Sequence, residues 1–369
     1  MNGSSCPPFA DLLDGFAALM PGPGGGVLPA RLPATIYQQV PDLMFRAATS
    51  CPCGVSVTAR AAGTLRVTFQ TYAMGGVARV GVLHGRDGLD GIDEVQLPPS
   101  GHIELDGATT RLVPGPPATV TIEPRSTSGE VRLLLPHTMP TEIVSIESDA
   151  PLEPVRDERV PWVHYGSSIS HGMEASGPQS TWPQQVARAV GLRLRDFSMS
   201  GSSQLDPAVA RVIAAVPARL ITLAVGINIA NADSMRERTF VPALHGFLDL
   251  IRDRQPQVPI VLASPIVCPT QEDDPGPVLM DADGRFRASR RTVESDAGAL
   301  TLQRIRTLMS EAVAVRDDPV SYVDGLSVFG HDDAPLLPDG LHPGQQGIDL
   351  IASRVSRRLR AYLSVTAAS

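Results

Sequence analysis

Over roughly the first 150 residues, apolar and polar side chains alternate in short runs broken by Gly, Pro and Asp: L-R-V-T-F-Q-T-Y, V-A-R-V-G-V-L-H, H-I-E-L-D, A-T-V-T-I-E-P and E-V-R-L-L-L-P. A period of two belongs to strands with one buried face, and short strands at regular spacing predict a β-sandwich. The P-G-P-G-G-G run at Pro21 to Gly26 precedes them. It has neither the lysine nor the strand-to-helix setting of a phosphate loop, so it reads as a turn or linker.

Beyond the charged, proline-flanked stretch Pro154 to Pro161 the rhythm changes. Strand-like segments (V-P-W-V-H-Y, L-R-L-R-D-F-S, L-I-T-L-A-V-G, I-V-L-A-S-P, S-Y-V-D-G) now alternate with helix-like ones at Trp182 to Val190, Pro207 to Ala215, Phe240 to Arg254, Leu300 to Val315 and Gly344 to Tyr362. Such β-α alternation predicts an open parallel α/β sheet with helices on both faces, which places ligands at the carboxyl ends of its strands. The expected domains are a sandwich over residues 1–155 and an α/β unit over 156–369. Cys268 to Ala297, rich in Asp, Pro and Arg and without a period, is long for a plain connection and reads as a lid or specificity loop.

Composition narrows the function classes. A chain of 369 residues with 43% apolar side chains and a net charge of -8 is a soluble globular protein without the positive field that nucleic-acid phosphates require. Every basic residue is arginine, which excludes a PLP Schiff base or a lysine nucleophile. Cys6, Cys51, Cys53 and Cys268 read as reduced thiols, because the C-P-C pair is too close for an ordinary disulfide or zinc-ribbon spacing. No basic segment followed by an apolar run opens the chain, and no stretch of about 18 apolar residues follows, so no membrane partner and a cytoplasmic location are expected.

Chemistry concentrates in two distant segments, Y-G-S-S-I-S-H-G at Tyr165 to Gly172 and P-D-G-L-H-P at Pro338 to Pro343. A serine hydroxyl needs a base to take its proton during attack on a carbonyl, and amide donors for the oxyanion that forms. Ser168 follows a predicted strand, with Gly166 permitting a tight turn. Asp339 and His342, three residues apart, allow the carboxylate to hold one ring nitrogen while the other faces Ser168. Between them lie F-S-M-S-G-S-S and A-V-G-I-N, in which Gly201 offers a backbone amide and Asn228 a side-chain amide. With the amide of Ser168 these would form an oxyanion hole.

These four blocks resemble the SGNH or GDSL superfamily of serine hydrolases and acyltransferases, whose Ser, Gly, Asn and His are here Ser168, Gly201, Asn228 and His342. The resemblance runs from about Trp162 to the C-terminus. It implies a three-layer α/β/α, flavodoxin-like fold, Asp339 as third member of a triad, and no metal or resident cofactor. Two positions depart from the pattern: Ser167 stands where an Asp usually precedes the nucleophile, and Ile229 where an Asp often follows the Asn. A preceding sandwich resembles a two-domain actinobacterial subgroup that includes an acyltransferase placing a salicyl group on a tetracycline scaffold. The implied partners are a small-molecule acyl donor, with acyl-CoA as one form of it, and a hydroxyl acceptor. Water as acceptor would make the chain an esterase or deacetylase, and a dead site would make it a carbohydrate- or partner-binding protein.

The remaining candidates read as structural. His171 near the elbow is either a substrate contact or a satisfied polar residue, and His164 within the strand is structural. His331, Asp332 and Asp333 lack a helical ligand pairing for a metal. Cys268 has no base of its own and reads as a buried thiol. Arg285, Arg287, Arg290 and Arg291 suit either coenzyme A phosphates or, preferably, a solvated loop. Trp182 and Phe240 read as core or pocket wall. Arg236 and Arg238 read as surface partners of Glu237 and nearby acids.

Overall fold

The computed structural model describes all residues except 1–8, 41–42, 74–76, 99, 107–108, 126–127, 290–296 and 367–369. Cys6, Arg290 and Arg291 lie outside the described residues. The chain divides into two compact units, Met1–Glu158 with Gly177–Gln179, and Arg159–Ser176 with Ser180–Ser369. The division falls slightly later than residue 155. Leu152–Pro154 still pairs with Ser56–Ala61, and Asp157 holds Arg132 at 2.8 Å.

The first unit contains two sheets. One runs Leu13–Asp14, Ser56–Ala61, Glu130–Leu134, Ala78–His84, Ile92–Leu97 in spatial order; the other runs Ala18–Pro21, Val27–Ala30, Thr141–Ser148, Leu65–Ala73, Gly101–Asp106, Thr109–Val113. Their inward residues, among them Val57, Val80, Val131 and Leu133 from one sheet and Val67, Phe69, Val120 and Ile143 from the other, merge into a single apolar core. The run Pro21 to Gly26 is more than a linker. Glu142 is fully buried and accepts the amides of Gly24 at 3.0 Å and Gly26 at 3.1 Å. A Cβ on Gly22 would lie 2.0 Å from the Glu142 carboxyl carbon, so the turn is glycine-rich because it wraps a buried carboxylate.

In the second unit five parallel strands, Val160–Tyr165, Leu192–Asp196, Leu220–Ala224, Ile260–Ala263 and Val320–Val323, stand in the order 2-1-3-4-5 counted along the chain. The first strand along the chain, Val160–Tyr165, is interior to the sheet and shows why helices cover both faces. Its even positions point one way, where Trp162 meets Trp182 of the Trp182–Val190 helix at 6.4 Å between rings. Its odd positions point the other, where Tyr165 stacks on Phe247 of the Glu237–Arg252 helix at 5.4 Å. On the first face the Trp182–Val190 helix also packs against the C-terminal helix Gln345–Thr366. Among the described residues no helix is long and apolar enough to cross a membrane.

The segment from Cys268 to Ala297 is not wholly irregular. It carries an antiparallel hairpin, Val278–Met280 with Phe286–Ala288, turned through D-A-D-G-R. Asp281 closes the turn by accepting the amides of Asp283 and Arg285 at 3.0 and 2.9 Å. Two further short elements escape hydrophobic periodicity: the helices Ser168–His171 and Ile227–Ala232 at the ends of the first and third strands.

Candidate active site

The Val160–Tyr165 strand is interior, paired with Leu192–Asp196 on one side and Leu220–Ala224 on the other, so its carboxyl end opens between two neighbours. Gly166 turns the chain there; a Cβ on it would sit 2.3 Å from Ser170 Oγ. Ser167 then caps a one-turn helix, its Oγ accepting the Ile169 amide at 3.3 Å. This accounts for serine in place of the usual aspartate, since both are strong N-cap residues. Gly172, at φ +80°, ends the turn with its amide on the Ser168 carbonyl at 2.9 Å. Ser168 is thereby held at the first helical position, 6% exposed.

The second segment folds back onto this elbow. Asp339 Oδ1 accepts the amides of Leu341 at 2.8 Å and His342 at 2.7 Å, while Oδ2 lies 2.6 Å from His342 Nδ1. Gly340 takes φ +83°, a left-handed turn that glycine permits. His342 Nε2 is 2.8 Å from Ser168 Oγ. The network assigns the Nδ1 proton to the side facing the carboxylate, leaving the Nε2 lone pair for the hydroxyl. Burial pushes the Asp339 carboxyl up, but its hydrogen bonds from the His342 ring, the His342 amide and the Leu341 amide outweigh it and hold the group below its ordinary value. Asp339 is therefore an anion at neutral pH, complementary to an imidazolium.

Gly201 and Asn228 are brought to the same sheet end. The loop carrying Gly201 is tied to the elbow by Phe197 N–H on the His164 carbonyl and Met199 N–H on the Gly166 carbonyl, both 2.7 Å. Gly201 itself has φ +70°. Asn228 is buried, and its Oδ1 accepts the Ser203 amide at 3.0 Å, which directs its Nδ2 donor away from that loop bond. Its main-chain carbonyl accepts Gln204 Nε2 at 3.0 Å. Ile229, in place of an acid, is fully buried in the helix core.

Other candidates resolve into structural roles. His164 is fully buried, its Nδ1 2.7 Å from Thr222 Oγ1; burial pushes its pKa down to about 4. His171, Trp182 and Phe240 are also buried. Burial raises the Cys268 thiol to about 12, and its Sγ lies 3.5 Å from the Gly340 carbonyl, so it braces the Asp339 turn as a thiol. Cys51 and Cys53 are buried and, among the described residues, in no disulfide. Asp333 pairs with Arg354, and among the described residues no group of His, Cys, Asp or Glu assembles as a metal-binding set. Arg236 pairs with Asp233 rather than with Glu237, which instead takes Arg304 at 2.7 Å. Arg287 pairs with Asp281 at 2.9 Å.

One residue at the site has no counterpart in the motifs. The Phe286 amide donates to the Asp339 carbonyl at 2.9 Å, and its ring stands edge-on to the His342 imidazole, 5.5 Å between centroids and 72° between planes. The D-G dipeptide at Asp283-Gly284, flanked by V-L-M and F-R-A, was the available signal for this hairpin.

Residues 159–325 match the GDSL-like lipase/acylhydrolase family. Among solved structures, the salicylyl-acyltransferase SsfX3 from a tetracycline biosynthetic pathway is 27% identical, covering 96% of this chain and 95% of that one, with a TM-score of 0.72. A protein described as a GDSL-like lipase from Bacteroides ovatus is 16% identical over 96% of both chains, TM-score 0.66. A family two carbohydrate esterase from Clostridium thermocellum is 13% identical over 84% of this chain and 92% of that one, TM-score 0.54. The last two likenesses concern the fold alone. Curated proteins offer no match.

Proposed function

We propose that the chain, whose residues 159–325 match the GDSL-like lipase/acylhydrolase family and which is similar over its length to an acyltransferase, is a serine-dependent O-acyltransferase moving an acyl group from an activated ester or thioester to a hydroxyl of a small-molecule natural product. The observation that carries the chemistry is the unbroken hydrogen-bond chain Asp339, His342, Ser168, at 2.6 and 2.8 Å. Ser168 Oγ attacks the donor carbonyl as His342 Nε2 takes its proton. The tetrahedral oxyanion is met by the amides of Ser168 and Gly201 and the side chain of Asn228. Collapse expels the donor's thiolate or alkoxide, protonated by His342, and leaves an ester on Ser168. His342 then takes the proton of the acceptor hydroxyl, whose oxygen attacks the ester and restores free Ser168.

Transfer rather than hydrolysis is supported by similarity over nearly the full length of both chains to a salicylyl-acyltransferase. The cycle uses side chains and backbone amides of this chain, with acyl donor and hydroxyl acceptor as its small-molecule partners; acyl-CoA, available in the cytoplasm, has the required activated thioester. Hydrolysis is the second reading, favoured by the lipase/acylhydrolase character of the matching family. The test is intact-mass analysis after mixing with a panel of thioesters and simple esters. An acyl adduct should appear on the native chain, be absent from Ser168→Ala, and chase to hydroxyl acceptors. An adduct that persists in Ser168→Ala removes the nucleophile, and release only to water removes the transferase.

A further inference from the structure

We propose that the Val278–Ala288 hairpin is the acceptor-side wall of the site, and that the apolar face formed by Phe286 and Met280 selects an acceptor alcohol carrying an apolar or aromatic group. The inference rests on the acyl-transfer reading above and specifies its second half. In that step the acceptor oxygen must lie within hydrogen-bond reach of His342 Nε2 while it approaches the acyl carbon on Ser168. A side chain packed against the His342 ring is therefore well placed to line the acceptor's approach. The flanking group is the Phe286 ring, 5.5 Å from the imidazole.

Register extends this surface. Met280 is paired directly opposite Phe286, so the two side chains share one face of the hairpin, while Leu279 and Arg287 occupy the other. Met280 is 60% exposed, so its side chain is open to contact from solution. Methionine is unbranched and polarizable, which suits adaptable contact with a ring. On the opposite face, Arg287 is engaged by Asp281.

The hairpin is anchored at several points rather than hung as a free flap. The Phe286 amide is on the Asp339 carbonyl at 2.9 Å, the Ala288 amide on Thr270 Oγ1 at 2.8 Å, and the Ser289 amide on the Pro277 carbonyl at 2.9 Å. At its base Gly276 lies so close to the helix bearing Asn228 that a Cβ would fall 1.8 Å from the Ala230 carbonyl oxygen. The loop below is pinned by Arg306, which pairs with Glu272 at 2.6 Å and donates to the carbonyls of Pro265 and Ile266 at 3.0 Å. The wall is thus held in register with both His342 and Asn228. A fixed apolar surface beside the base favours an acceptor that covers it and disfavours sugars and water, whose polar groups would lose hydrogen bonds there.

The test uses the full chain with 4-nitrophenyl butyrate as donor and 2-phenylethanol and glycerol as acceptors. Nitrophenol release reports acylation, and the butyrate ester and free acid are measured by mass spectrometry. The native protein should form the 2-phenylethyl ester in preference to glyceryl esters. Met280→Gln and Phe286→Ala should each lower that preference by tenfold or more, and Phe286→Leu by less. Met280→Gln alters an exposed side chain, so it tests the wall without depending on the fold. Equal losses for both acceptors and for acylation, or an unchanged preference in both variants, would overturn the proposal. Acylation followed by release to water alone would instead bring down the transfer reading on which the proposal rests. Absence of any acyl-enzyme from the native protein would instead bring down the serine reading on which the proposal stands.

Discussion

Asp339→Asn is the sharpest probe of the site, because the structure dictates how the new amide must sit. In the native turn, Oδ1 accepts two backbone amides, from Leu341 at 2.8 Å and His342 at 2.7 Å. Asparagine has one acceptor atom, and two N–H groups claim it. Its carbonyl oxygen therefore takes the Oδ1 place, and its NH₂ group faces His342 Nδ1, where Oδ2 now lies at 2.6 Å. The amide donates where the carboxylate accepted, so the imidazole proton moves to Nε2. That nitrogen then presents a proton rather than a lone pair to Ser168 Oγ. Loss of the correct tautomer in such a serine–histidine–carboxylate system lowers turnover by ~10⁴-fold, or about 5 kcal/mol of transition-state stabilisation. The assay is the steady-state release of nitrophenol from a simple ester, paired with circular dichroism to verify folding. Asp339→Ala supplies the control: it removes the anion but imposes no donor, so Asn, although isosteric, should be no faster than Ala. A rate within tenfold of the native enzyme, or an Asn variant clearly faster than Ala, would refute the tautomer argument.

Two further predictions concern stability. His164 is neutral and buried, with its pKa pushed from 6.5 to about 4 by desolvation, and its Nε2 has no hydrogen-bond partner among the described residues. Between those two pH values the unfolded chain binds a proton that the folded chain refuses. Acidification from pH 6.5 toward 4 therefore removes stability, by roughly 3 kcal/mol from this group, and the loss levels off below pH 4. Urea titrations should show that slope reduced in His164→Asn; an identical slope would mean that another group carries the dependence. In the sandwich, Glu142→Ala strips the amides of Gly24 and Gly26 and the Tyr72 hydroxyl of a common acceptor. A loss of about 3 kcal/mol or more is expected, read from the urea midpoint, whereas Tyr72→Phe, which removes only one of these bonds, should cost about 1 kcal/mol. A Glu142→Ala loss under about 1 kcal/mol would show that the glycine turn does not depend on the carboxylate.

What could be read along the chain and what could not differ in physical kind. The alternation that marks Leu65–Ala73 and Ala78–His84 as strands reflects burial on one face, a property of each residue and its near neighbours. So do the helices Trp182–Val190 and Leu302–Ala314, whose apolar positions recur at helical spacing. Thr141–Ser148 escaped because its register shifts between Ile143 and Ser145, which breaks the period of two at mid-strand. Ile227–Ala232 is too short for periodicity, yet it places Asn228; its signal was the glycine before it, Gly226 at φ +108°. The expectation that Ser168, His342 and Asp339 come together could be formed because it depends on residue type and local spacing, and the three are hydrogen-bonded in the fold. Phe286 was not legible, because its contact with His342 joins residues far apart in the chain and no residue type announces such a contact. The glycines of Pro21 to Gly26 make the same point in the other unit. They read as a plain turn or linker until the carboxyl group of Glu142, more than a hundred positions away, is found inside the turn. Local chemistry thus points to candidate reacting groups, while contacts such as that of Phe286 with His342 arise only from the tertiary fold. The hairpin, rather than the serine motif, is accordingly where transfer and hydrolysis should be told apart.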